Sequence, residues 1–244
     1  MNKLISTSFT GFTAIVFLLL FGLTINDEKK YKYSFLDSFE IFAQIQDEDN
    51  PLVVNSSKVI EFTGKNYGDI ANSNDINLNS FTISVWFKTI MNVTGEVDGA
   101  FLINKGGLGT DLPGNNLNYG LWLNNREQVS GGFEAFNGDD FFITSQDSYA
   151  NGKWHNAILT FDNEQHLIKL YIDGLQVATN STKLGIPPDT IGRSSIKMGA
   201  NAFVDKGEIN GYFTGQLDDI KIWNYALTKE QVIHLFNTES KLQR

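Results

Sequence analysis

The 244-residue chain has no cysteine and only three histidines, and each scarcity removes a class of chemistry. Without cysteine there is no thiol nucleophile, no cysteine-ligated zinc and no iron–sulfur cluster. His155, His166 and His234 share no spacing typical of metal ligands, and no G-x-S-x-G nucleophile elbow is present. The sequence therefore gives no support to nucleophilic or metal-dependent hydrolysis. The missing disulfides neither favour nor exclude export.

Positive charge is also scarce, because 19 lysines and arginines face 28 aspartates and glutamates for a net charge of -9. Residues 1–26 contain one charged side chain, Lys3, so the rest of the chain carries -9 minus 1, or -10. Such an excess of negative charge disfavours non-specific binding to nucleic acid or anionic lipid. We therefore expect no nucleic-acid partner, and the charge suits calcium or a neutral glycan better.

The amino terminus carries the longest apolar segment, from Phe9 to Ile25, which is densest between Ala14 and Leu23. Its length suits either a signal peptide or a membrane anchor. The small residues that precede a cleavage site are poorly matched, which favours an uncleaved anchor over a signal peptide and over a buried core helix. Residues 1–26 are thus predicted to form a hydrophobic helix that exports the protein, which stays membrane-anchored facing outward or is secreted if cleaved. Residues 27–51 are predicted to be a linker or stalk.

From Leu52 onward the sequence consists of short alternating segments separated by glycine, asparagine and aspartate, which is typical of antiparallel β-structure. The clearest example is Gly152 to Val177, GKWHNAILTFDNEQHLIKLYIDGLQV, where apolar and polar residues alternate in two successive runs. Asp173-Gly174 predicts a two-residue turn, because aspartate and glycine tolerate positive φ angles. The region therefore predicts two paired strands followed by a tight turn into a third.

One short helix is predicted near the carboxyl terminus. Thr228 is placed to cap its first turn, and Gln231, three residues later, completes the pattern of a capping box. Val232, Leu235 and Phe236 then give the helix an apolar face. We expect the domain to end at residue 237 and residues 238–244 to form a tail.

The strand motifs occur in an order that is informative beyond each motif alone. They are, along the chain, SKVIEFTGKNYGDI, FTISVWFKT, FLINKGG, NYGLWLNN, WHNAILTFD, LYIDGLQV, IKMGAN and GYFTGQLDDIKIWNYALTKEQV. In this order the chain resembles the laminin G-like domains of the concanavalin A-like lectin/glucanase superfamily. The resemblance implies an all-β fold, an antiparallel two-sheet jelly-roll sandwich over residues 52–237. It implies much less about function, because this fold hosts lectins, protein-binding modules and glycanases alike.

The resemblance also implies a structural calcium ion. By position, the ligands would be the carboxylate of Asp218 and backbone carbonyls of Gly64 and Glu61. Calcium takes hard oxygen ligands of these kinds, completed by water. The alternative is that Asp218 and Asp219 satisfy backbone donors or face water.

Glycanases of this superfamily carry an E-x-D-x-E motif, and the chain contains only part of it. Glu96 and Asp98 match the first two acids, but Ala100 stands where the second glutamate belongs. Retaining hydrolysis needs two carboxyl groups about 5 Å apart, one as nucleophile and one as acid/base. We therefore predict that the protein is not an enzyme, with a glycoside hydrolase or lyase as the alternative.

Binding is the function that remains, and the fold offers aromatic rings and polar loops for it. The candidate ligand-binding residues are two tryptophans in strands and four polar residues in two loops of one rim: Trp86, Trp122, Asn115, Asn116, Asp139 and Asp140. The alternatives are core packing for the tryptophans and turn formation for the polar residues. We expect an extracytoplasmic, non-catalytic module that binds a glycan or a protein at the cell surface. A structural protein of the cell envelope is the further alternative.

Overall fold

The computed structural model describes residues 39–40, 55–56, 59–93, 99–108, 114, 116–182, 186–203 and 208–240. The predicted leader, residues 1–26, and most of the predicted linker lie outside the described residues. No helix in the described part of the chain has the length and hydrophobicity needed to cross a bilayer. The strands are β1 Phe39–Glu40, β2 Asn55–Ser56, β3 Ile60–Thr63, β4 Gly68–Ile70, β5 Phe81–Lys88, β6 Ala100–Lys105, β7 Tyr119–Leu123, β8 Gln128–Glu134, β9 Asp140–Ser148, β10 Trp154–Asp162, β11 Leu167–Ile172, β12 Leu175–Ser181, β13 Ile196–Met198, β14 Asn201–Phe203, β15 Glu208–Asn210 and β16 Thr214–Trp223. A short 3₁₀ helix spans Asn74–Ile76, and helix α1 spans Lys229–Glu239.

Two six-stranded sheets form the body of the protein. Sheet I has the strand order β12-β11-β10-β5-β16-β3, and sheet II has the order β4-β13-β6-β7-β8-β9. The pairs in both sheets are antiparallel. Neighbours such as β5 and β16 are distant in sequence, as the crossovers of a jelly roll require. The predicted all-β, two-sheet jelly-roll sandwich with a short carboxyl-terminal helix is confirmed.

The motif that predicted paired central strands forms β10, β11 and β12. The β10–β11 pairing runs from Ala157 opposite Ile172 to Asp162 opposite Leu167. The turn after β11 has φ of 52° at Asp173 and 76° at Gly174, as a two-residue hairpin turn requires. Local turn chemistry therefore fixes the start of β12.

Between the sheets lies a core built around aromatic rings. Phe133 of sheet II packs on Phe161 of sheet I with ring centroids 4.4 Å apart, and Phe81 lies 5.5 Å from Tyr119. All four side chains are fully buried. Each ring removed from water contributes about 2–3 kcal/mol to folding. The aromatic cluster thus holds one end of the two sheets together.

Helix α1 covers part of the outer face of sheet I. Its capping box is formed, because the Thr228 hydroxyl accepts the amide of Gln231 and the Gln231 side chain accepts the amide of Thr228. Val232 is buried against the sheet. The helix continues to Glu239, which is also buried, so the predicted tail begins two residues inside the helix.

Candidate functional site

The two tryptophans predicted to stack on a ligand are both covered. Trp86 is 3% exposed, its ring stacks on Phe236 of α1, and its Nε1 donates to Glu239 Oε2 at 2.6 Å. Trp122 is 4% exposed and stacks on Phe101 with ring centroids 5.5 Å apart. Neither ring offers a face to a ligand in solution. In this structure both rings pack against other protein groups, which is the alternative role expected for them.

The predicted calcium ligands do not converge. The amide of Gly64 donates to the carbonyl of Phe213 at 3.0 Å, so Gly64 lies beside the residue that precedes β16. Asp218 lies five residues further along that chain segment, about 17 Å away in an extended strand. Calcium ligands lie about 2.3–2.6 Å from the ion, so Gly64 and Asp218 cannot bind the same one. The structure therefore does not bring Gly64 and Asp218 together.

The remaining groups of that site have protein partners. The carbonyl of Glu61 accepts the side-chain amide of Asn66 at 3.1 Å. Oδ1 of Asp218 accepts the backbone amide of Asp219 at 2.9 Å, which is the alternative role expected for it. The described residues contain no group of three histidine or acidic side chains placed to hold a metal. A structural calcium ion stays a prediction.

The incomplete glycanase motif gives no catalytic pair. Glu96 and Asp98 lie outside the described residues. Ala100 begins β6 and is buried. A methyl group therefore occupies the position where the motif needs its second carboxylate.

The two polar loops predicted to form one rim do lie together. Asn116 donates from Nδ2 to the carbonyl of Ala135 at 3.1 Å, which joins the loop before β7 to the turn between β8 and β9. A third segment adds to them, since Ala135 pairs with Pro188. We call Gly114 and residues 116–118, 134–140 and 186–192 together the Phe136 rim. The placement of the rim follows from the pairing in sheet II, because antiparallel β7 and β8 bring the start of β7 next to the end of β8.

Individual rim residues differ in their access to solvent. Asn116 is buried and braces the rim, whereas Asp139 is partly exposed and Asp140, the first residue of β9, is exposed. Asn115 lies outside the described residues. The turn itself is ordered by its own hydrogen bonds, among them Ala135 N to Asp139 O at 2.9 Å. Of the predicted polar residues that the structure describes, the two aspartates are therefore the accessible ones.

An aromatic residue that the sequence reading missed lies at the tip of this turn. Phe136 is 49% exposed, and Ile191 on the adjacent segment is 64% exposed. A two-residue turn signal follows Phe136 in Asn137-Gly138, where Gly138 has φ of 82°. The turn does not require a large aromatic residue at this position. A phenylalanine directly before a turn motif was therefore the signal in the sequence that could have indicated an exposed ring.

Two buried carboxylates hold the rim loops. Glu134 Oε2 accepts the amide of Leu117 at 2.7 Å. Asp189 accepts the amide of Gly114 through Oδ2 at 2.5 Å and the amide of Ile191 through Oδ1 at 3.1 Å. Charge-assisted bonds of this kind are about twice as strong as neutral ones. They hold the loops of the rim in one arrangement.

A buried lysine anchors the third rim segment from below. Lys105 at the end of β6 donates from Nζ to the carbonyl of Ser194 at 2.7 Å and to Oδ1 of Asn72 at 2.8 Å. Burial lowers the pKa of Lys105 from 10.5 to about 8, and the nearby charge of Asp189 partly opposes this shift. The anchor is therefore a cation held mainly by neutral oxygens.

A separate shallow pocket of about 270 Å³ lies on the outer face of sheet I, at the start of α1. Thr160, Asp162 and Lys169 line one side, and Thr228 and Glu230 line the other. Its described lining contains no aromatic ring. The pocket therefore lacks the stacking surface that Phe136 gives the rim.

The geometry defines a class of protein. The described fold is a jelly-roll sandwich whose rim combines one exposed aromatic ring with amide and carboxylate groups on loops held by buried acids. A family model described as the concanavalin A-like lectin/glucanases superfamily matches residues 62–233, more than half of the chain. The chain belongs to this superfamily, as its motifs predicted.

Known proteins similar to the chain include one curated relative and several solved structures. A stretch of 93 residues, 37% of this chain, is 29% identical to pappalysin-1 of Mus musculus, and this match spans 5% of that protein. Domain 4 of AbnA, a GH43 extracellular arabinanase from Geobacillus stearothermophilus, in complex with arabinotriose, covers 88% of both chains at 17% identity with a TM-score of 0.57. The Ruminococcus gnavus IT-sialidase CBM40 bound to α2,3 sialyllactose covers 74% of this chain and 97% of its own at 17% identity, with a TM-score of 0.54. At these identities the structural likeness shows the fold alone.

Proposed function

We propose that this protein is a non-catalytic binding module that recognises carbohydrate at the Phe136 rim. The observation that carries the proposal is Phe136, a phenyl ring 49% exposed at the tip of an ordered turn. Exposed aromatic rings stack on the apolar faces of sugars. Asn137 and Asp139 of the same turn supply amide and carboxylate groups for hydroxyls. The arabinotriose and sialyllactose held by two proteins of the same fold support a sugar ligand.

The chemistry of the rim supports binding without catalysis. Both of its buried acids already accept backbone amides, Glu134 from Leu117 and Asp189 from Gly114 and Ile191. A carboxylate that holds a loop in this way is poorly placed to act as a nucleophile or proton donor. We expect no release of reducing ends from any polysaccharide that the protein binds.

We further propose that the protein acts outside the cytoplasm, tethered to or released from a membrane. The support is the apolar run from Phe9 to Ile25, which has the length of an anchor or signal peptide. The net charge of -9 agrees with a partner other than nucleic acid. Calcium remains an open requirement, and a chelator tests it directly.

The test is binding of the full chain, in detergent, to a broad glycan array with calcium and again with chelator. Phe136→Ala is the test variant, and Leu175→Ala, which removes another exposed apolar side chain outside the rim, is the matched control. We expect wild type and the Leu175 variant to bind one glycan class alike. Phe136→Ala should bind it about tenfold more weakly, the value of one aromatic stacking contact. Equal binding by all three proteins would contradict the rim as the site.

A protein ligand is the second candidate, and one observation favours it. Phe136 and Ile191 lie on neighbouring segments, and both side chains are about half or more exposed. Exposed apolar groups on neighbouring segments are typical of a protein interface. Failure of the folded wild-type chain to bind any glycan, with or without calcium, would favour this candidate over carbohydrate.

A further inference from the structure

The outer face of sheet I is only partly covered by helix α1. Core residues alternate along its strands with residues that point away from the core, as the period of two requires. Phe87 and Leu217 are core residues, so their neighbours Lys88 and Gln216 point outward. Phe236 of α1 reaches as far as Trp86, one row before Lys88. In the next row, Lys88 and Gln216 keep partial access to solvent.

Four side chains from four adjacent strands occupy this row. The register pairs Trp154 of β10 with Lys88 of β5, Lys88 with Gln216 of β16, and Gln216 with Glu61 of β3. We call these four residues the Trp154 strip. Three interstrand spacings separate its ends, a length of about 14 Å. The strip thus has the length of a short oligosaccharide rather than of one sugar ring.

The side chains of the strip are at least partly exposed to solvent, and they make no polar contact with other described residues. Glu61 is exposed, and Trp154, Lys88 and Gln216 are half-buried. Among the described residues, none of these four side chains has a hydrogen-bond or ion-pair partner. Three of them carry strong donors or acceptors, an ammonium, an amide and a carboxylate. A row of polar groups next to a tryptophan is unexplained by the packing of the fold.

We propose that the Trp154 strip is a second binding surface, for an extended neutral oligosaccharide of about three sugar units. The charges of Lys88 and Glu61 cancel, so the strip attracts neither anions nor cations as a whole. Its alternating donors and acceptors suit a chain of hydroxyl groups. The Trp154 ring supplies a stacking face at one end. The ligand class rests on the proposed carbohydrate binding, but the surface is separate from the Phe136 rim.

The borders of the strip agree with a chain-like ligand. On one side the last turn of α1, which stacks Phe236 on Trp86, forms a wall. On the other side Ile90 is 83% exposed beside Gly152, where an added Cβ would lie 3.0 Å from the isoleucine side chain. Ile90 extends the apolar end of the strip next to Trp154. Helix α1 therefore bounds the strip along one side, and Trp154 and Ile90 make one of its ends apolar.

Intrinsic fluorescence isolates this surface from the rim. The chain has four tryptophans, and Trp86, Trp122 and Trp223 are each at most 4% exposed. A ligand on the strip should therefore change the emission of Trp154, whereas a ligand at the Phe136 rim should leave tryptophan emission unchanged. The full chain in detergent is titrated with neutral trisaccharides and hexasaccharides from arabinan, β-glucan and mannan. Stoichiometry is measured by calorimetry in parallel.

We expect at least one neutral series to change the emission and to bind at two sites per chain. Trp154→Ala should abolish the emission change and the second site, and Trp154→Phe should keep the second site with at most a few-fold loss of affinity. Phe136→Ala should keep the emission change and lose the other site. Binding to wild type that Trp154→Ala leaves unaltered would overturn the strip and leave the rim intact. Loss of all binding in Phe136→Ala would also overturn the strip and leave the rim intact.

Other outcomes separate the two proposals. Binding that Trp154→Ala removes and Phe136→Ala leaves unaltered would support the strip and overturn the rim. No binding of any sugar to the folded wild-type chain would overturn both. Sialyllactose, a charged trisaccharide, tests the ligand class, because an equal emission change with this probe would overturn the assignment of a neutral chain.

Discussion

Glu239 should contribute more to stability than any other residue near the carboxyl terminus. Its buried carboxylate accepts Nε1 of Trp86 through Oε2 and pairs with Nζ of Lys221 through Oε1. Glu239→Ala leaves an indole N–H and a largely buried ammonium without their shared partner. Removing one member of a buried pair costs about 3–5 kcal/mol. We expect a loss of about 3 kcal/mol, because Lys221 keeps some access to water.

Urea denaturation followed by far-UV circular dichroism measures this loss as a change in midpoint at constant slope. Asn237→Ala is the control, since Asn237 is exposed on the same helix. Deleting residues 239–244 should cost at least as much as Glu239→Ala, because the deletion removes the same carboxylate. A loss below about 1 kcal/mol for Glu239→Ala would refute the reasoning, because the residue would then behave as part of a tail. A double variant with Lys221→Met should be less destabilised than the sum of the single changes.

Three further changes test other parts of the fold. Burial lowers the pKa of Lys105 from 10.5 to about 8, so between these values the unfolded chain binds a proton that the folded chain lacks. The free energy of unfolding should therefore rise with pH through this window, and Lys105→Met should remove that rise, which solvent screening holds to at most about 3 kcal/mol, in urea titrations. Phe133→Ala should cost about 3–5 kcal/mol by thermal or urea unfolding, since the ring is buried against Phe161, and an unchanged midpoint would contradict the packing. Gly106→Ala should cost at least about 2 kcal/mol, because φ is 84° and the new Cβ would lie 2.0 Å from the carbonyl of Asn116; a wild-type midpoint would show that the loop can move away.

The parts of the fold that the sequence predicted correctly depend on local chemistry. The Asp173-Gly174 turn needs only positive φ at two adjacent residues, and the capping box of α1 needs only Thr228 and Gln231. Alternation along β10 and β11 is equally local. Each of these features is encoded within a few residues, so one chain suffices to identify it.

The features of the candidate site that the sequence did not indicate involve distant residues. The strand pattern places Trp86 on the outer face of its sheet. Its burial depends on Glu239, 153 residues later, which accepts a hydrogen bond from the Trp86 ring. The resemblance places Gly64 and Asp218 around one ion, whereas the β3–β16 register sets them apart along the strands. Register depends on pairing between strands that the sequence does not connect, and one residue of slip changes every contact. The rim was predicted from its loops, but exposure of Phe136 depends on how three loops pack, which no local pattern encodes.

The position of α1 explains why the two proposed surfaces lie at opposite ends of the sandwich. The helix covers the middle of the sheet I face by stacking on Trp86, and the row that contains Trp154 lies beyond this contact. The rim lies at the other end, where Phe133 of sheet II meets Phe161 of β10. Trp154 and Phe161 lie seven positions apart on an extended strand, a distance of about 23 Å. A trisaccharide cannot reach both surfaces, whereas a polymer can, so avidity for long chains should exceed the affinity for short ones if both surfaces bind sugar.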